Sequence, residues 1–171
     1  ADRALDAAQA CLGSGAFDRA RELLATAEAG PLDEVGRARA DLLRAEVAFA
    51  ENRGGDAHLL LLQAAKKLET LDVRLSRDTY LDALSAALFA GRMARGSGLL
   101  DVSLAAATAR RPADPPLPRD LLLDGLALVF TRGRPAAAPL LRRAVAAVTS
   151  PDVSREEVLR GGWLASRAAL L

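Results

Sequence analysis

A chain of 171 residues that is 51% hydrophobic and carries a formal net charge of +1 is long enough for a substantial core, and it exerts no global electrostatic pull on nucleic acid or an anionic membrane. Only 4% of its residues are aromatic, and alanine and leucine dominate while β-branched residues are few, a composition that suits helices and suits strands poorly. The expected fold class is all-α. No run of 18 or more apolar residues exists to span a bilayer and no basic-then-apolar leader precedes Ala1, so a cytoplasmic chain without a membrane partner is expected.

The first recognisable element lies between Gly15 and Pro31. Gly15 ends a turn, Phe17 leads into a helix, and Ala20, Leu24 and Ala27 fall at i, i+4 and i+7 on one face before Gly30-Pro31 stops it. The opposite face carries Asp18, Arg19, Arg21, Glu22 and Glu28, which should be solvated and partly paired at i, i+3 and i+4 spacing, as Asp18 with Arg21. The Ala-x-x-x-Leu-x-x-Ala face returns as Ala57, Leu61, Ala64 and as Ala137, Leu141, Ala144.

Two kinds of break separate the helices. Gly13-Ser14-Gly15, Gly54-Gly55, Gly96-Ser97-Gly98 and Gly133 mark tight turns within a helix pair, where positive φ costs glycine nothing. Gly30-Pro31-Leu32-Asp33, Thr70-Leu71-Asp72, the run Pro112 to Pro118, and Ser150-Pro151-Asp152 divide one pair from the next. Four helical pairs follow, at about 1–29, 33–70, 73–110 and 118–150, within units of 1–31, 32–72, 73–117 and 118–152. A partial fifth unit begins at 153, where Ser154-Arg155-Glu156-Glu157 has the form of a capping box. The chain starts without methionine and ends on Arg167 to Leu171, which reads as an unfinished helix, so a single helical-repeat domain cut from a larger protein is expected.

Small residues twelve apart link the two helices of each pair: Ala8 with Ala20, Ala45 with Ala57, and Gly125 with Ala137. Close approach of two helices needs side chains that do not hold their axes apart. In this the chain resembles the tetratricopeptide repeat family, and Gly15, Phe17 and Pro31 also match the family's turn, aromatic and terminal proline, the proline one place early. The resemblance implies an α-solenoid, a right-handed superhelix of antiparallel helix pairs. The chain departs from the family in lacking the helix A tryptophan and leucine-glycine pair, and its mean period of about 40 residues exceeds the usual ~34. The third unit has two registers, one through Ala86, Gly98, Val102 and Ala105, the other through Leu88, Leu100, Leu104 and Ala107. The first is preferred for its small pair.

Phrases at Ala29 to Glu34, Arg37 to Ala45 and Asp120 to Ala127 are further similar to the region between the ATPase and the DNA-binding domain of large LuxR-type transcriptional regulators. Membership would imply an ATP-controlled activator in which this array senses an effector or protein partner and restrains the other domains. ATP is then implied only for the full-length family, no cofactor for this segment, and DNA is contacted through another domain.

The residues themselves offer little chemistry. Neither Lys66 nor Lys67 follows a glycine, so there is no phosphate loop. Cys11 alone cannot form an intramolecular disulfide and reads as a small buried hydrophobe; His58 alone cannot build a structural zinc site and has no nucleophile or carboxylate placed for it by motif. The doublets Lys66-Lys67, Arg110-Arg111 and Arg142-Arg143 have no aromatics interleaved for base stacking, the first two lie near helix C-termini, and no short recognition helix occurs. A non-catalytic module without metal or direct nucleic-acid contact is expected.

What remains is the groove. In the tetratricopeptide register the concave wall is lined by helix A residues: Arg39, Glu46 and Phe49 from the second unit, Asp82, Ser85, Phe89, Arg92 and Met93 from the third if its leucine register holds or nearly so, and Leu122, Leu126 and Phe130 from the fourth. Apolar anchors with a few charges suit a peptide, a partner helix or a small organic effector. The competing reading makes Phe49, Phe89, Met93 and Phe130 ordinary core residues at helical spacing. The leading function is the sensory module of a LuxR-type regulator; the alternative is a free-standing scaffold for protein partners. Homo-oligomerisation is compatible with either.

Overall fold

Helices account for all the regular structure that the computed structural model describes, over residues 1–51, 56–90 and 98–150. They are α1 Asp2–Gly13, α2 Phe17–Glu28, α3 Glu34–Ala50, α4 Ala57–Leu68, α5 Val73–Ala90, α6 Leu99–Thr108, α7 Pro118–Arg132 and α8 Arg134–Val148. The chain is all-α, and its helices and breaks come in the order read from the sequence. The turn at Gly54-Gly55 and the fifth start at Ser154 lie outside the described residues. No helix among the described residues is long and apolar enough to cross a membrane.

Local chemistry explains the ends. Gly15, Gly98 and Gly133 adopt positive φ, and at Gly133, with φ of +87° as the sole residue between α7 and α8, any L side chain would be strained. Asp33 caps α3, its carboxylate accepting the Gly36 N–H at 2.7 Å, and Asp72 accepts the Leu75 N–H at 3.0 Å at the head of α5. A cap of this kind contributes about 1 kcal/mol. Pro118 opens α7, where it lacks a donor the helix would not use, while the Asp120 carboxylate reaches back to the Leu117 N–H at 2.9 Å.

The contacts gather into two compact units, Ala1–Gly96 and Ser97–Leu171, so the boundary falls inside the third repeat unit of the sequence reading. In the first, α1 packs on α2 and α3, α2 on α3, α3 on α4, and α4 on α5. Each helix meets its neighbours in sequence, the pattern expected of a helical repeat. Leu5, Ala8, Leu24, Ala27, Ala40 and Leu43 form one buried cluster. Ala20, Ala45, Ala57, Leu61 and Ala64 are also buried, so the small pairs sit between helices where close approach requires them. Ser76 ties α5 to α4 by donating to the Ala65 carbonyl at 2.8 Å.

In the second unit α7 packs on both α6 and α8. Gly125 explains how close α7 comes to α8: a Cβ there would stand 2.5 Å from Leu141 Cδ2 and 3.1 Å from its Cγ. On α6, Val102 is buried and Gly98 with it, whereas Leu100 and Leu104 are exposed. Of the first register Ala86, Gly98 and Val102 are buried and Ala105 half-buried, while of the second Leu88 is half-buried and Leu100, Leu104 and Ala107 are exposed.

Candidate functional site

Helix periodicity places the wall residues of the first unit. On α3, Val35, Arg39, Leu42, Glu46 and Phe49 recur at i, i+4, i+7, i+11 and i+14, one face of the helix. On α5, Asp78, Asp82, Ser85 and Phe89 do the same. The two faces meet at the C-terminal ends of their helices, where the rings of Phe49 and Phe89 lie with centroids 6.0 Å apart and planes tilted by 47°. That is a favourable separation for an aromatic pair. Phe49 is half-buried, while Phe89 is 64% exposed, the most exposed of the large apolar side chains among the described residues.

The remaining wall residues differ in what they present. Arg39 is half-buried and donates from Nη2 to Asp6 Oδ1 at 2.7 Å, which binds α3 to α1. Glu46 and Asp82 are half-buried. Ser85 is buried, and its hydroxyl donates to the Leu81 carbonyl of its own helix at 2.9 Å, so that donor is used locally. Leu122 and Leu126 lie in the core of the second unit, with Phe130 half-buried beyond them. Arg92 and Met93 lie outside the described residues.

Comparison with family models, curated proteins and solved structures finds no match for this chain.

A charge network that sequence spacing does not reveal braces the same helices. Arg44 bonds Glu28 on α2 and, at 2.7 Å, Asp41 on its own helix; Asp41 in turn accepts from Lys67 on α4 at 2.5 Å. Arg21 donates to Glu51 at 2.8 Å, besides its local pair with Asp18. Only Asp41 with Arg44 and Asp18 with Arg21 have the i, i+3 signature of a helical surface pair. Partners 16 and 26 residues apart in sequence carry no such signal.

Burial tends to raise the Asp41 carboxyl, but hydrogen bonds and charge from Lys67 and Arg44 outweigh it and hold it below the ordinary carboxylate value. A folded-state pKa below the unfolded one gives stabilisation that is fully present above about pH 4 and is lost as pH falls through the lowered value. The partners are half exposed or more, so the effect is that of a surface network. Asp41→Asn is expected to destabilise by about 0.5–1 kcal/mol at neutral pH. The gap from wild type should close below about pH 4 in urea titrations; a gap that persists there would dissociate it from the carboxylate.

Tyr80 is buried, and its hydroxyl donates to Glu69 Oε1 at 2.5 Å. Burial, then the hydrogen bond and the charge of Glu69, push its pKa upward, so the ring stays neutral and serves as a brace between the end of α4 and α5. His58 is buried in the first turn of α4, and its ring nitrogens make no hydrogen bond among the described residues. Cys11 is half-buried rather than fully so. Lys66 and Lys67 lie in the last turn of α4, Arg111 pairs with Asp124 on α7 at 3.2 Å, and Arg142 and Arg143 lie exposed along α8. Among the described residues no group of three or more His, Cys, Asp or Glu is placed to hold a metal ion.

Proposed function

We propose that this chain is a non-catalytic helical-repeat module that binds a protein segment or small organic effector on the α3–α5 wall of its first unit. The observation that carries the reading is the Phe49–Phe89 pair, in which a half-buried ring lies against one that is 64% exposed. An exposed ring backed by a half-buried one is a ready anchor for an apolar group, because the backing ring fixes its orientation before binding. The half-buried Arg39, Glu46 and Asp82 on the same two helices supply polar contacts at its rim.

The wider role we favour is the effector-sensing array of a LuxR-type ATP-dependent transcriptional regulator, in which occupancy of the wall shifts the balance between restrained and active states. A gene that encodes a phosphate-loop ATPase before this segment and a helix-turn-helix after it supports that role. A gene encoding neither supports a free-standing scaffold.

Binding itself is testable without knowing the context. Screened against a panel of amphipathic peptides and small aromatic acids by thermal shift, a ligand of this wall should lose about tenfold or more in affinity for the Phe89→Ala protein, the loss typical of a truncated aromatic anchor. Far-ultraviolet circular dichroism should be unchanged, since so exposed a ring contributes little to the core. Equal affinity for both proteins would place the binding surface elsewhere.

A further inference from the structure

Four of the seven residues from Pro112 to Pro118, where α6 gives way to α7, are proline. Proline fixes its own φ at about −65° and drives the residue before it toward extended backbone. Asp114, Pro115 and Leu117 each precede a proline, so covalent geometry holds them extended. Leu117 has φ of −73° and ψ of 163°, and Ala109, at the end of α6, has φ of −59° and ψ of 147°. Both lie in the polyproline II region. The segment is presented rather than packed: Pro112 and Pro118 are half-buried and pin its ends, while Ala113 through Leu117 are exposed, Leu117 by 45%. Among the described residues, 110–116 make no backbone hydrogen bond, so their carbonyls stand open as acceptors.

We infer that residues 114–118 are a docking ligand for a partner protein whose surface carries a groove of parallel aromatic rings. Polyproline II repeats roughly every three residues, so Asp114-Pro115 and Leu117-Pro118 are successive X-Pro pairs along one side. Pro118 opens α7, yet its ring is placed by its own φ and by the extended ψ of Leu117, values that serve a first helical turn and the end of a polyproline turn alike. Aromatic rings stack on the proline and leucine surfaces, and indole or phenol donors beside them reach the open carbonyls. Without N–H groups at 115, 116 and 118 the segment cannot instead add a strand to a sheet. Its prolines and half-buried ends order it before binding, which lowers the entropy lost on docking. Arg110, exposed and without an ion pair among the described residues, stands on the N-terminal side, so an acidic group at that end of the groove fixes the direction in which the segment lies.

The full chain, titrated to about 1 millimolar into a panel of isotope-labelled WW domains and other small polyproline-binding domains, should shift the aromatic-groove resonances of at least one of them. A synthetic peptide spanning 109–119 should compete for the same groove. Replacing Pro115 and Pro116 together by alanine should weaken binding about tenfold or more. Leu117→Ser should do the same while supplying α7 with a better N-cap, so unchanged circular dichroism separates loss of the ligand from loss of the helix. Arg110→Glu should weaken binding by less, as a charge at the rim does. Phe89→Ala should bind like wild type, since the segment does not depend on the α3–α5 wall. Binding by no domain of the panel, failure of the peptide to compete, wild-type affinity of the double proline, Leu117→Ser or Arg110→Glu proteins, or an equal loss in Phe89→Ala would each overturn the inference.

Discussion

Leu61→Ala is expected to destabilise the first unit by about 2–5 kcal/mol, while Leu60→Ala on the same helix costs less than about 0.5 kcal/mol. The two leucines are adjacent in sequence and chemically identical, yet Leu61 is fully buried and Leu60 is 39% exposed. Helix α4 packs against α3 and α5, and Leu61 lies on the face that also buries Ala57 and Ala64. Removing its isobutyl group loses the transfer free energy of those atoms and leaves a cavity among helix backbones that cannot fully collapse. Urea denaturation followed by circular dichroism measures both variants. Equal costs would mean that α4 is rotated from the face assigned to it.

The second large effect is at Gly125. Gly125→Val is expected to cost about 3 kcal/mol, at the upper end of the range for overpacking a core. A Cβ at this position already falls 2.5 Å from Leu141 Cδ2, and the Leu141 backbone N, at 3.5 Å, limits how far that side chain can retreat. The branched side chain adds two more carbons where the first does not fit. Valine regains only a few tenths of a kcal/mol in helix propensity over glycine, so the steric term decides the sign. Leu141→Ala in the Gly125→Val background should recover part of the loss by vacating the space, a coupling that a double-mutant cycle reads directly. Strict additivity of the two substitutions would count against a direct clash.

The helices and the breaks between them were legible because they rest on local rules. Glycines at tight turns, the proline- and aspartate-marked breaks, and the repeated alanine-leucine-alanine face each act within a few residues, and sequence spacing carries that information. The wall was less legible. Helical periodicity groups Arg39, Glu46 and Phe49 on one face but cannot say which members stay open: Ser85 lies buried, its hydroxyl bonded within α5, and Leu122 lies in a core. Phe49 and Phe89, forty positions apart, meet only because α3 and α5 both flank α4. The Glu28–Arg44–Asp41–Lys67 network escaped for the same reason, as its cross-helix links depend on how three helices stack.

The single glycine between α7 and α8 has a consequence for how such a chain can change over time. Each residue added within a helix turns everything after it by about 100°, and a one-residue connection has no slack to absorb such a turn. An insertion near Gly133 would carry Ala137, Leu141 and Ala144 off the face that meets Gly125, so this hairpin is inherited whole or lost. The proline-rich stretch from Pro112 to Leu117 runs between α6 and α7, and length variation there is absorbed at the surface. Natural variants of this architecture should therefore differ in the spacing between hairpins while keeping the α7–α8 hairpin at fixed length.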